Sequence, residues 1–153
     1  MESLRSVTAL VGRILLVLIF VLSGLNKIMN MSGTAGFMTQ AGIPTNLLYP
    51  GLYLSIAVEL GCGLLVIVGL WARWAALIIF LYLIPVTLLF HVAGYVHATE
   101  QHQAMAAVTQ QIMSMKNIAM MGGLLLLAAM GPGGFSIDGR SSAPGLNSAR
   151  RAA

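Results

Sequence analysis

The stretch "SIAVELGCGLL" (residues 55–65) decides how this chain must be read. Apolar residues flank it on both sides, and one carboxylate, Glu59, stands near its middle. The surrounding run, residues 48–70, is long enough to cross about 30 Å of hydrocarbon as a helix, which takes ~20 residues. Either the carboxylate is misplaced, or the chain holds it there for a purpose.

The composition makes the bilayer the solvent. The 153 residues are 58% hydrophobic and only 8% charged, against about 25% charged in a soluble domain. Four apolar segments stand out, at about 8–28, 48–70, 72–92 and 115–130. They define an all-α, four-helix integral membrane bundle over residues 1–140, followed by a Gly/Ser/Ala-rich tail, 141–153, expected to be disordered. The fourth segment is the shortest, and its helix has room to begin earlier, in "AAVTQQIMSM". The first is read as a retained helix rather than a signal peptide. Arg13 interrupts the charged-to-apolar junction, and no clean cleavage site follows.

The charges are topology signals. The net charge is +4, but the basic residues form no patch with interleaved aromatics, so nucleic acid is excluded as a partner. With four spans, Arg5, Arg73, Arg140, Arg150 and Arg151 fall on one side, which the positive-inside rule makes cytoplasmic. Both termini are therefore expected there. "LWARW" reads as a very tight turn joining spans two and three as antiparallel neighbours, with Trp71 and Trp74 at the interface. The opposite connection, "NMSGTAGFMTQAGIPTN", has room for a short interfacial helix before Pro44. Pro85, inside the third span, should kink it and free a carbonyl near residue 81.

The spans carry polar stripes. Arg13, Val17, Phe20, Gly24 and Lys27 recur at spacings of 4, 3, 4 and 3, which is one helical face. Leu15, Leu18, Ile19 and Leu22 suit lipid. Ser55, Glu59, Cys62, Val66, Gly69 and Arg73 repeat the pattern in the second span, with Gly61 and Gly63 beside the carboxylate. In the fourth, Lys116, Met120, Gly123 and Leu127 share a face. Small residues such as Gly24, Gly61, Gly63 and Gly123 let membrane helices approach closely.

An unpaired carboxylate in hydrocarbon is costly, so Glu59 should be paired or protonated. It lies roughly 15–18 Å from either end of its helix. Arg13 starts ~8 Å in and has a long stem; it is the favoured partner, with Lys27 and Lys116 competing from the outer side. The expected site is a polar pocket between helices one, two and four, built from Arg13, Lys27, Glu59 and Lys116; Asn117 joins it only through the resemblance given below. A structural ion pair and a proton or ligand site are both open readings of Glu59. Cys62 is the only cysteine, which excludes an intrachain disulfide or CxxC centre and leaves a packing role. His91, His97 and His102 read as interfacial or solvated rather than as haem or metal ligands, so no metal site is assigned.

The segments "GRILLVLIFVLSGLNKIMN", "GIP", "AVELGCGLLVIVGLWARWAAL" and "KNIAMMGGLLLLAAMGPGGFSID" together resemble the DoxX family of small bacterial and archaeal membrane proteins. The matching polar positions are Arg13, Gly24, Lys27, Glu59, Gly61, Arg73, Lys116 and Asn117. The resemblance implies a multi-pass protein of the cytoplasmic (inner) membrane. Family members have been linked to quinone-coupled oxidation of reduced sulfur compounds and to redox-defence complexes. It thus implies a membrane subunit of a quinone-linked oxidoreductase, with quinone as a mobile cofactor and none bound covalently. A partner subunit would then carry the redox centre, since this chain holds no complete catalytic centre. The alternative is a non-enzymatic scaffold or assembly factor, with homo-oligomers also open.

Overall fold

The computed structural model describes residues 2–141, all of whose regular elements are helical. Apart from Ser141, the tail expected to be disordered lies outside the described residues. The helices are α1 (Glu2–Met29), α2 (Met31–Gln40), α3 (Thr45–Ile56), α4 (Gly63–Val68), α5 (Ala72–Val86), α6 (Ala93–Glu100), α7 (Ala104–Met130) and α8 (Ile137–Ser141). A π-helical turn, Ala57–Cys62, joins α3 to α4, and another, Thr87–Val92, joins α5 to α6. Four helices are therefore long and apolar enough to cross a membrane: Ser3–Met29, Thr45–Val68, Ala72–Glu100 and Ala104–Met130. The third runs eight residues beyond its expected end, and the fourth begins eleven before its expected start. The stretch "GYVHATEQHQAMAAVTQQ", polar and helix-capable by its sequence, extends both helices apart from a short turn at 101–103.

The connections follow from local chemistry. α2 is the expected short helix before Pro44, and the Asn30 side chain caps it by accepting from Gly33 N at 3.2 Å. α4 stops at Gly69, whose φ of +72° suits a residue without Cβ. The N–H groups of Gly69 and Leu70 both return to the Leu65 carbonyl, a left-handed helix end. Trp71 also has positive φ, at 48°, and the chain re-enters a helix at Ala72. This is the tight turn expected from "LWARW".

Spans one and two lie antiparallel in close register. A Cβ on Gly24 would stand 2.6 Å from Leu60 Cγ, and one on Gly63 would stand 3.0 Å from Val21 Cγ2. Gly123 likewise admits Leu16 from the first span. Gly61 is a correction to the sequence reading: it is exposed, with open space where its side chain would be. It sits one residue off the buried stripe of Ser55, Glu59, Cys62 and Val66. The core gathers Val17, Phe20, Cys62, Val66, Ala75, Ala76, Ile79, Leu83 and Leu124. Leu15, Leu18, Ile19 and Leu22 are exposed, as the lipid face of α1 requires. In α7 the buried positions are Asn117 and Leu124, so the inward face is centred one residue past Lys116.

Both prolines inside spans precede π turns. Pro50 lies in α3 and Pro85 in α5. A proline removes a helical donor and crowds the carbonyl four residues back, and a wider turn is one way to absorb that mismatch. Thr87 opens the second π turn, and its Oγ1 donates to the Leu83 carbonyl at 2.7 Å.

Candidate functional site: a buried ion pair between three helices

Glu59 lies inside the first π turn and is buried. Its partner is Lys27, not Arg13. Lys27 Nζ donates to Glu59 Oε2 at 2.6 Å and to Oε1 at 2.8 Å. It also donates to Ser23 Oγ, one turn back on α1, at 2.7 Å. Tyr82, from α5, donates its hydroxyl to Glu59 Oε1 at 2.9 Å, and the same hydroxyl lies 2.9 Å from Ser55 Oγ. The cluster is thus Ser23 and Lys27 from the first span, Ser55 and Glu59 from the second, and Tyr82 from the third. The fourth span contributes nothing to it.

The two charges differ in exposure. The Glu59 side chain is 6% exposed and that of Lys27 is 20% exposed. The carboxylate is sealed in, while the lysine keeps one side open near the α2 end of α1. Burial of this kind is tolerated because Coulombic attraction and two added hydrogen bonds, from Lys27 to Ser23 and from Tyr82 to Glu59, offset the desolvation of both ions.

Arg13 is only 3% exposed, yet it belongs to another structure. Its Nη1 donates to Pro132 O at 2.6 Å, and its Nη2 donates to Phe135 O at 2.7 Å and Ile67 O at 3.2 Å. These carbonyls end or follow the second and fourth spans. Arg13 therefore binds the negative ends of two helices and the "GPGGF" loop. The helix register explains the misassignment. Gly24 meets Glu59 and Leu60, and Arg13 is eleven residues from Gly24, about 16 Å along the axis. Its Nη1 stands instead beside Gly69. Asp138 completes this end of the bundle: its Oδ1 and Oδ2 accept from Trp71 N and Ala72 N, both at 3.0 Å, which caps α5.

The remaining expected residues lie apart. Asn117 is buried and donates to Thr87 Oγ1 at 3.0 Å, joining the fourth span to the third. Lys116 Nζ meets Met113 Sδ at 3.3 Å on its own helix. His91 Nδ1 is 2.9 Å from Gln110 Oε1. Among the described residues, no group of three His, Cys, Asp or Glu is placed to hold a metal. Ser23 and Tyr82 are the members that sequence reading missed. Tyr82 had a signal: tyrosines favour the membrane interface, and one amid "LIIFLYLIPV" needs a partner for its hydroxyl.

Four spans, the first three of which build a lysine–glutamate centre, define a small polytopic membrane protein. The chain belongs to the DoxX family, whose model matches residues 8–92. It is 35% identical over 138 residues to the inner membrane protein YqjF of Escherichia coli K12, covering 90% of this chain and 95% of that protein. It is 31% identical over 136 residues to the inner membrane protein YphA of the same organism, covering 89% of this chain and 91% of that one. No solved structure matches the chain significantly.

Proposed function

We propose that this chain is an inner-membrane subunit of a quinone-linked oxidoreductase system, with the Glu59–Lys27–Tyr82 cluster as its polar site. The observation that carries the reading is the asymmetry of the ion pair: a sealed carboxylate held by a lysine that keeps an open side. A quinol head group presents two hydroxyls, and its oxidation releases two electrons and two protons. A redox cofactor on a partner subunit takes the electrons. Glu59 accepts one proton, the other passes to water on the open side of Lys27, and Lys27 and Tyr82 orient the ring oxygens. Intramembrane ionisable groups serve such proton sites widely. The chain lacks a redox motif of its own, which fits a docking and quinone-handling role beside a partner.

The test is purification followed by quinone extraction, for the native chain and for Glu59→Gln. Quinone in the native sample and its loss from a folded Glu59→Gln variant support the reading. Equal quinone content in both samples overturns it.

A second reading has one observation in its favour. Gly61 and Gly122 lie within spans, face outward and meet nothing within 4 Å. Such positions suit close approach by another membrane helix, as a scaffold or assembly factor requires. Gly61→Leu would then abolish copurification of a partner while leaving the fold intact.

A further inference from the structure

At the bundle end that carries Arg13 and Asp138, far from the Glu59 cluster, the structure has a cleft of about 580 Å³. Trp71, Arg73 and Trp74 line one wall, and Met130, the Gly131–Gly133 loop and Asp138 line the other. We propose that this cleft binds the phosphate of an anionic phospholipid, with the acyl chains lying along the bundle.

Three features select that chemistry. The first is charge. Arg73 makes one long hydrogen bond, from Nη2 to Met130 O at 3.4 Å. Its other guanidinium donors meet no acceptor among the described residues. A fork of free N–H groups matches phosphate oxygens in pairs. Asp138, the acidic residue in the lining, has both carboxylate oxygens on backbone N–H groups, and these already balance much of its charge.

The second feature is the floor. A Cβ on Gly131 would come within 3.0 Å of both Arg73 Nε and Nη2, and Gly131 has φ of +88°. The Nε–Nη2 edge of the guanidinium therefore faces Gly131, a position where any side chain would displace it.

The third feature separates a lipid from a soluble anion. Trp71 is 69% exposed and Trp74 is 68% exposed, beside the cation and at the end of apolar helices. Indole rings settle at the depth of the glycerol backbone, so a ligand here meets a cation and an apolar, aromatic wall together. Inorganic phosphate uses only the first.

The two tryptophans of the chain both line this cleft, so intrinsic fluorescence reads it alone. The full chain would be reconstituted in phosphatidylcholine bilayers doped with brominated phosphatidylglycerol, or with the same fraction of brominated phosphatidylcholine. The anionic quencher should quench several-fold more strongly. Arg73→Gln should reduce that preference about fivefold, the value of ~1 kcal/mol per basic group at a membrane surface. Arg5→Gln, which alters an exposed arginine outside the lining, should leave it unchanged. Equal quenching by the two lipids in the native chain overturns the proposal, whether or not Arg73→Gln assembles. So does an unchanged preference in folded Arg73→Gln. Relief of quenching by millimolar inorganic phosphate, at constant ionic strength, would show a soluble-anion site instead.

Discussion

Lys27→Met and Glu59→Met should destabilise the protein unequally, and the double variant should recover much of the loss. Removing one partner of a buried pair leaves the other charge uncompensated, at about 3–5 kcal/mol. In Lys27→Met the stranded charge is Glu59, 6% exposed, with the Tyr82 hydroxyl as its one remaining charge-stabilising donor. The full range applies. In Glu59→Met the stranded charge is Lys27, 20% exposed and still bonded to Ser23. Its stem can swing toward the interface, so the cost falls to about 2 kcal/mol, below the range for a sealed ion. At about 2–4 °C per kcal/mol for a chain of this size, the midpoints should drop by roughly 10 °C and 5 °C. The double variant should lie well above the sum, because neither charge remains. The assay is thermal unfolding of the four proteins in one detergent, followed by tryptophan-independent circular dichroism. Strictly additive losses would falsify the pairing. So would coupling between Glu59→Met and Arg13→Met, which the structure places in separate networks.

Arg13→Met removes three hydrogen bonds to carbonyls of Ile67, Pro132 and Phe135; it should cost about 3 kcal/mol and speed amide exchange in the 131–138 loop while sparing the Glu59 cluster. Gly24→Ala forces a Cβ against Leu60 and should cost about 1–3 kcal/mol. Gly61→Ala meets open space and should be neutral, or stabilising by up to about 1 kcal/mol through helix propensity; equal effects of the two glycine changes on thermal midpoint would refute the packing register. A reporter fused to the C-terminus should be active only in the cytoplasm, since five arginines fall on that side of the four spans; periplasmic activity would reverse the orientation.

The bundle was legible because apolar runs and stripe spacing are set by the bilayer and by helical geometry. Those rules placed Val17, Phe20, Gly24, Ser55, Glu59 and Cys62 inward and Leu18 and Leu22 outward. The partner of Glu59 was not legible, because depth was counted from assumed span ends. α1 begins at Glu2, and tight packing at Gly24 and Gly63 slides it until Lys27, rather than Arg13, meets the carboxylate. That sliding depends on a contact between helices, which no single helix encodes. Tyr82 escaped for a related reason: it carries no charge, and its hydroxyl matters only once a second helix brings Glu59 within reach. The early start of the fourth span was allowed for in "AAVTQQIMSM", but the long third span was missed, because polar residues end a hydropathy run and yet do not prevent a helix from continuing into water.

The two π turns and the Arg13 clamp divide the bundle into unlike parts. At the end that carries the Arg13 clamp and the Asp138 cap, helix termini are tied together by charge-assisted bonds across the chain. Spans two and three each contain a wide turn near mid-length, Ala57–Cys62 and Thr87–Val92. There the backbone hydrogen bonds reach five residues instead of four. One end is therefore tied across helices, while spans two and three each change their winding near the middle. Glu59 sits inside the first wide turn, so the winding of the second span there sets the reach from Glu59 to Lys27.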